Sequence, residues 1–424
     1  MISKYIFSFY LMLISPMLAL FFGLREKSFA YKRGLLVLAI TIFGSTMIIY
    51  DGMDGFAHHQ NVYNHYLELS SNQFFRELIA ILTFAPYPET NDDVYIHVLS
   101  YFVGSILEVP QLFFVIVSFI YAYFFSGSIL KVLQVIPQTK ISYFFYIFST
   151  VFVLYKNVEG INTVRTWTGL WILFYAAFCY FETRKLKYLF LMFIPPFVHV
   201  AYFIMAVPTW IITLFGSRFK LIYAGVFVMS FFYGINKNVA METLSGTEVG
   251  ASKSQGYYVE DVENHKVGKY DDSTWYRQMQ KGGVQKYALY LVAFTLIFSG
   301  IYFNGMNTLE SKLFSIGILT KTLSNFSTFI FALSARSALI GTIFILAAFL
   351  LLLRRGFFNK EKINYFYIYQ TLFFISAILY VPYLVYKIAD LIYFISVFML
   401  MFPFITWIFN DINISIRGFI GQFL

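Results

Sequence analysis

The sequence has few cysteines and few charged residues. Cys179 is the only cysteine among the 424 residues, so this chain can form neither an internal disulfide nor a thiolate metal site. Charged residues make up 12% of the chain and hydrophobic residues 59%, which is far from the composition of soluble proteins. These deficits exclude an ordinary soluble domain and indicate a protein embedded in lipid.

Motifs for nucleotide and hydrolase chemistry are missing as well. The sequence contains no P-loop, no G-x-G-x-x-G before a helix and no G-x-S-x-G, so nucleotide-driven transport and α/β-hydrolase chemistry have no support. The net charge of +9 comes from Lys and Arg clustered between apolar segments, as the positive-inside rule expects. No nucleic-acid partner is implied.

Long apolar segments are abundant. About 20 apolar residues cross a bilayer as a helix. By this measure the apolar segments predict an all-α polytopic membrane protein with about 11–13 spans in one domain, residues 1–424. Residues 6–24 read as a retained first helix and not as a cleavable signal. The clearest spans are expected at residues 5–22, 35–50, 111–130, 141–155, 167–181, 221–233, 287–303, 313–333, 339–353, 365–385 and 391–409.

One apolar stretch does not fit this pattern. Residues 188–215 are too few for two full spans. However, basic residues flank this stretch at both ends, which places its two ends on the same side of the membrane. Pro195, Pro196 and Pro208 interrupt the stretch around His199. We predict two short, proline-bent helices, which are tolerated at membrane depth only where they line a cavity or are buried in protein.

The basic clusters place two large polar segments on the outer side. The first, residues 51–109, is acidic and includes an apolar helical segment, residues 94–107, expected to lie along the membrane surface or to enter it part-way. The second, residues 236–283, has the length of a functional loop or a lid.

Three side chains are candidates for chemistry within the membrane region. Arg165 and Arg336 each lie at the outer end of a predicted span, where a guanidinium suits phosphate or pyrophosphate binding. The alternative is that each side chain only extends its charge to the lipid surface. His199 is a candidate general base for a sugar hydroxyl, and equally a buried hydrogen-bonding histidine.

Further candidates lie in the outer segments. Asp51 and Asp54 are one helical turn apart and fit either a catalytic base or the solvation of a helix end. His58 and His59 beside them lack a metal-ligand spacing such as H-E-x-x-H, so we expect no metal, and His58 is assigned to substrate binding. Tyr276 and Arg277 place an aromatic ring next to a guanidinium, a combination that suits sugar binding. A polar segment of this composition is as often a solvent-exposed surface without a ligand.

The chain resembles the Wzy-type O-antigen polymerases of bacterial envelopes, particularly the EpsG-like branch. The resemblance rests on DGMDGFAHHQNVY, NDDVYIHVLSYFV, the block at residues 161–208 that contains Arg165 and His199, and FALSARSALIG around Arg336. Near the C-terminus that family often has an Arg before a Tyr-Phe run, and here Lys387 and Asp390 occur instead. The third cationic contact of the family therefore has no clear equivalent.

The resemblance implies a GT-C-like glycosyltransferase. It would join undecaprenyl-pyrophosphate-linked repeat units into O-antigen, capsule or exopolysaccharide, on the outer face of the bacterial cytoplasmic membrane, with no metal or cofactor. Arg165 and Arg336 would bind the donor pyrophosphate, and His199 or Asp54 would act on the acceptor hydroxyl. A chain-length regulator is an expected partner.

Two other functions fit the same sequence. One is a GT-C transferase that adds a single sugar from a polyprenyl-phosphate donor. The other is a flippase or transporter of lipid-linked oligosaccharides, which should carry charges deep in several spans and internal repeats. The charges here lie mostly at span ends and no repeat is visible.

Overall fold

The computed structural model describes residues 2–50, 53–85, 93–134, 142–233, 283–359, 366–409 and 413–422. Across these ranges the chain is helical and contains no strand beyond one isolated bridge between Ser396 and Ser415. The predicted outer segment at residues 236–283, Asp51, Tyr276 and Arg277 lie outside the described residues, apart from Gly283 itself.

Among the described residues, three helices are long and apolar enough to cross a membrane: Leu112–Leu133, Phe331–Arg354 and Tyr367–Phe394. Shorter apolar helices of 10–17 residues accompany them within the described ranges. The all-α class and the presence of membrane-spanning helices therefore agree with the sequence prediction.

The first half of the chain forms helices at the following positions: α1 Ile2–Ile14, α2 Pro16–Gly23, α3 Phe29–Thr46, α4 Asp54–Asn61, α5 Ser71–Thr83, α6 Val94–Tyr101, α7 Leu112–Leu133, α8 Tyr143–Tyr155, α9 Thr166–Thr183, α10 Leu186–Leu191, α11 Pro195–Val198, α12 Tyr202–Met205, α13 Val207–Phe215 and α14 Lys220–Met229. The second half adds α15 Val284–Phe298, α16 Thr308–Phe326, α17 Phe331–Arg354, α18 Phe366–Phe394, α19 Ile405–Ile408 and α20 Ile416–Gly421.

The predicted spans at the two ends of the chain are wrong in their extent. The first breaks between α1 and α2, because the Ser15 side chain accepts a hydrogen bond from the Leu18 N–H and Pro16 occupies the first helical position. The last, at residues 391–409, is not one helix: α18 ends at Phe394, and the chain turns at Phe402, with φ +55°, before Pro403. Serine caps and prolines override the apolar composition in both places.

The short helices predicted at residues 188–215, called the broken hairpin below, are present with more breaks than predicted. Residues 186–215 form four short helices, α10 to α13, instead of two. Pro195 opens α11 and Pro208 lies in the first turn of α13, positions where the missing N–H of proline does no harm. His199 separates α11 from α12 in an extended conformation, with φ −154° and ψ 122°.

The centre of the molecule is the pair α16 and α17. An added Cβ on Gly317 would lie 2.5 Å from Ile345 Cγ1 and 2.9 Å from the Ile345 backbone nitrogen. On the facing helix, a Cβ on Gly341 would lie 2.8 Å from the carbonyl oxygen of Gly317. Only glycine allows the two backbones to approach this closely.

Helix α17 separates two groups of charges. Arg336 lies near its start and Arg354 in its last turn, about 27 Å apart at 1.5 Å per residue. Arg354 donates to the carbonyl oxygens of Lys131 and Gln134, at the C-terminal end of α7, and Lys131 pairs with Glu182 near the end of α9. The basic ends of three helices thus gather at one end of the protein, opposite Arg165 and Arg336.

We predict that Gly317→Ala lowers the free energy of unfolding by about 1–3 kcal/mol, because the methyl group must push apart two packed backbones. Gly225→Ala is the matched control, since an added Cβ on Gly225 in α14 meets nothing within 4 Å. Thermal unfolding of the detergent-solubilised protein measures both. Equal midpoints for the two variants would contradict the close packing of α16 and α17.

Candidate functional site

The site is built around the carboxylate of Asp93. This side chain is only 2% exposed and accepts hydrogen bonds from three donors. They are Arg165 Nη1, His199 Nδ1 at 3.1 Å and the backbone N–H of Val200 at 2.6 Å. A buried carboxylate is stable only when it is paired in this way.

Asp93 occupies the N-cap position of α6 without capping it. Its backbone has the extended conformation of an N-cap, but its side chain makes no hydrogen bond to the first turn of α6. The carboxylate is directed instead to residues that follow it by 72 and 106 positions. Asp93 therefore links α6, the start of α9 and the broken hairpin.

Arg165 is positioned by a tight turn at the start of α9. The 3₁₀ turn Val158–Thr163 leads into Val164, which has φ +53°, and Arg165 is the N-cap of α9. The hairpin packs against this point, since the Tyr202 hydroxyl donates to the carbonyl oxygen of Thr166 at 2.7 Å. The Arg165 side chain is 20% exposed while it is paired with the fully buried Asp93 carboxylate.

His199 connects Asp93 to Arg336. Arg336 Nη1 donates to His199 Nε2 at 2.9 Å, and the opposite ring nitrogen faces Asp93. Because a guanidinium has no lone pair to accept a hydrogen bond, Nε2 must be unprotonated and Nδ1 must carry the proton. His199 is thus neutral, and its unprotonated Nε2 accepts the hydrogen bond from the Arg336 guanidinium.

The break in the hairpin makes this arrangement feasible. At His199 the helical hydrogen bonding is interrupted, and the N–H of Val200 donates to Asp93 instead of to a carbonyl oxygen of the preceding turn. The prediction that the prolines surround a functional point is consistent with this geometry. Arg165, His199 and Arg336, predicted from widely separated segments, meet in one cluster.

His58 lies close enough to this cluster for electrostatic interaction. Helix α4 packs on the turn before Arg165, and a Cβ on Gly55 would lie 2.4 Å from Asn162 Oδ1. Burial, followed by the charge of Arg165, lowers the pKa of His58 to about 4. His58 is therefore neutral at physiological pH.

Asp54 is exposed in the first turn of α4, one turn before His58. Its charge raises the pKa of His58, but among the described residues it forms no hydrogen bond or ion pair with Arg165, His199 or Arg336. Of the two predicted catalytic residues, His199 is therefore in the centre of the cluster and Asp54 at its edge. Within the described part of the chain, no three His, Cys, Asp or Glu side chains form a metal-binding group.

Lys387 has a different role from the cation that the family resemblance suggests. Its ammonium pairs with Glu159 in the turn before Arg165 and lies 3.7 Å from Asp390. Lys387 is only 4% exposed, and Lys156 lies 3.8 Å from the same glutamate. Lys387 thus holds the Arg165 turn against α18 and faces protein carboxylates.

Asp93, the centre of this cluster, was not among the predicted site residues. It was one of several acids in the outer segment, and an Asp immediately before an apolar helix is a common N-cap. Its distinguishing features are burial and partners from distant segments. Neither is visible in the order of the residues.

Comparison with family models, with curated proteins and with solved structures finds no match for this chain. The site is therefore interpreted from its geometry. Two guanidiniums and a neutral histidine, fixed around one buried carboxylate, can bind an anion and accept a proton beside it.

The pKa of Asp93, which lies outside the three membrane-spanning helices, provides a test of the cluster. Burial raises it, but the hydrogen bond from His199 and the charge of Arg165 outweigh burial and hold it at about 2. Since this pKa is below the unfolded value of about 3.9, the stabilisation is complete above pH 4 and is lost as the pH falls towards 2.

We predict that Asp93→Asn is less stable than the wild type by about 2 kcal/mol at pH 7, and that the difference shrinks below pH 4. Thermal unfolding in detergent between pH 7 and pH 3 measures it. Glu68→Gln, which removes an exposed acid, is the control. A difference that is the same at every pH would show that the Asp93 charge contributes nothing.

Proposed function

We propose that this protein is a membrane glycosyltransferase that polymerises oligosaccharide repeat units carried on undecaprenyl pyrophosphate. The observation that carries the proposal is the chain of contacts from Arg165 through Asp93 and His199 to Arg336. It supplies cations for a pyrophosphate and a fixed base for a hydroxyl, at one end of a membrane-spanning helix.

The two arginines suit the leaving group of this reaction. Cleavage of the bond between a sugar and its pyrophosphate carrier leaves negative charge on the phosphate oxygens. Guanidiniums fixed in a site with little water stabilise such charge strongly, because they need not reorganise during the reaction. Arg165 is already oriented by Asp93, and Arg336 by His199, before any substrate binds.

His199 is placed to accept the proton of the acceptor sugar. When a phosphate oxygen takes the Arg336 N–H, His199 Nε2 loses its partner and becomes available to a hydroxyl. The acceptor oxygen then forms a bond to the donor's anomeric carbon, the bond to the pyrophosphate breaks, and the proton moves to Nε2. Asp93 stabilises the resulting imidazolium through Nδ1–H, as a carboxylate does for other catalytic histidines.

The same proposal assigns the architecture and the location. A GT-C-like arrangement in the bacterial cytoplasmic membrane would place the site on the outer face, where repeat units are polymerised, with Lys131, Arg184 and Arg354 on the inner side. Arg277, Tyr276 and Asp51 would contact the sugars. A chain-length regulator would act as a partner.

We predict that the purified protein, given its lipid-pyrophosphate-linked repeat unit alone, produces a ladder of glycolipids on a gel. Arg336→Ala should lower kcat by about 10²–10³-fold, the effect of removing one fixed donor from a transition state. His199→Ala should have an effect of similar size. Arg76→Ala, which removes an exposed arginine of the outer segment, should leave the ladder unchanged.

The products distinguish the three candidate functions. A single addition from a polyprenyl-phosphate sugar, without a ladder, would favour the simpler transferase. No product, together with movement of the same lipid across liposomes, would favour a transporter. A normal ladder from a variant lacking both Arg165 and Arg336 would overturn the assignment of the pyrophosphate site.

A further inference from the structure

A buried lysine lies at the end of the protein opposite Arg165 and Arg336. Lys312 is near the start of α16 and is only 5% exposed. The start of α16 is held beside the end of α17, because Arg355 Nε lies 2.8 Å from Glu310 Oε1. Lys312 therefore belongs to the end of the molecule where the basic ends of α7, α9 and α17 gather.

The Lys312 ammonium has no carboxylate partner. Among the described residues it forms neither a hydrogen bond nor an ion pair, and its nitrogen lies 4.9 Å from the centre of the Phe181 ring. Glu310, two positions earlier in the chain, is already paired with Arg355. A buried ammonium is unfavourable unless an opposite charge compensates it, and one aromatic ring compensates it only in part. The charge of Lys312 is thus left for an anion from outside the chain.

A second cation lies beside Lys312. Arg184 ends α9 in the left-handed conformation, with φ +59°, and is exposed. Within the described ranges Arg184 forms no ion pair, and Glu182 before it pairs with Lys131. Burial lowers the pKa of Lys312, which lies outside the three membrane-spanning helices, and the charge of Arg184 lowers it further. The two cations therefore repel each other, and an anion between them would relieve this repulsion.

The turn between α13 and α14 lies on the other side of Lys312. Gly216 in this turn has φ +64°, and a Cβ added to it would lie 3.9 Å from Lys312 Cε. The methylene groups of the lysine therefore pass beside the turn. Arg218 follows in the same turn and is exposed. Lys312 is thus enclosed by the end of α9 and by this turn, and each of them carries an exposed arginine.

Exposed apolar side chains adjoin these cations in the chain. Leu186, two positions after Arg184, is 64% exposed, and Leu214, two positions before Gly216, is 79% exposed. Strongly exposed apolar side chains beside polar groups are typical of surfaces that contact a membrane. Cations next to them lie at the boundary between hydrocarbon and water, which is the depth of a lipid phosphate. The anion that fits this position is one attached to acyl chains.

We propose that Lys312 and Arg184 bind the phosphate of an anionic phospholipid, phosphatidylglycerol, in the leaflet that surrounds this end of the protein. An ammonium and a guanidinium are the groups that proteins use to bind phosphate. Basic pockets between membrane-spanning helices bind anionic lipid head groups in this way. A zwitterionic head group is disfavoured, because the exposed cations Arg218 and Lys185 would repel its positive charge. The site is independent of the chemistry proposed at Asp93.

Native mass spectrometry of the full-length protein in detergent tests the site. Dioleoyl phosphatidylglycerol should be retained by a larger fraction of the protein than dioleoyl phosphatidylcholine, which has the same chains and a neutral head group. Inorganic phosphate at the same concentration should not displace it, because phosphate lacks the chains that hold a lipid at the boundary. Equal retention of the two lipids, or displacement by inorganic phosphate, would overturn the proposal.

Two variants that each remove one positive charge localise the binding. Lys312→Met should weaken the retention of phosphatidylglycerol by at least about tenfold, the effect of losing a charged hydrogen bond. Lys27→Met, at an exposed position between α2 and α3, should leave it within about twofold. Equal retention by the two variants contradicts the proposal. Arg184→Gln, at an exposed position, should also weaken retention, and it decides the question if Lys312→Met does not fold.

Thermal unfolding distinguishes a lipid site from a purely structural role of Lys312. In detergent without added lipid, Lys312→Met should unfold at no lower temperature than the wild type, because methionine carries no buried charge. Phosphatidylglycerol should raise the midpoint of the wild type and leave that of the variant unchanged. A variant that is less stable without lipid, and that the lipid stabilises as much as the wild type, would show that Lys312 supports only the fold.

Discussion

The site depends on the burial of one carboxylate, Asp93, in a protein with few charges. A carboxylate removed from water is strongly unfavourable unless donors surround it, and here the donors come from α9 and the hairpin. Folding must therefore bring these segments together to satisfy Asp93. The same requirement fixes the tautomer of His199 and, through it, the orientation of Arg336.

The sequence predicted well what depends on local composition. Apolar length predicted the helices, basic clusters predicted which helix ends lie together, and three prolines predicted the break at His199. Arg165 and Arg336 were placed at the outer ends of their spans and His199 at the bend of the broken hairpin, and the structure brings the three together around Asp93. Asp54 was among the predicted catalytic residues and Asp93 was not. Both are acids near a helix start, and only the folded chain shows that Asp93 is buried and Asp54 exposed.

The errors in the helices have a common physical origin. Hydropathy measures only the transfer of side chains into lipid, whereas a helix also requires an uninterrupted backbone. Ser15 with Pro16, and Phe402 with Pro403, interrupt segments that are apolar throughout. The extra breaks between α10 and α13 arise in the same way, and hydropathy does not register them.

The two walls of the site differ in construction. Arg336 belongs to α17, whose backbone packs closely against α16 at Gly317 and Gly341. His199 belongs to a wall of four short helices, with joints at residues 192–194, 199–201 and 206. A helix held by close backbone packing and a wall of short helices thus meet at the hydrogen bond between Arg336 and His199, and the backbone breaks on either side of His199 set the position of its imidazole.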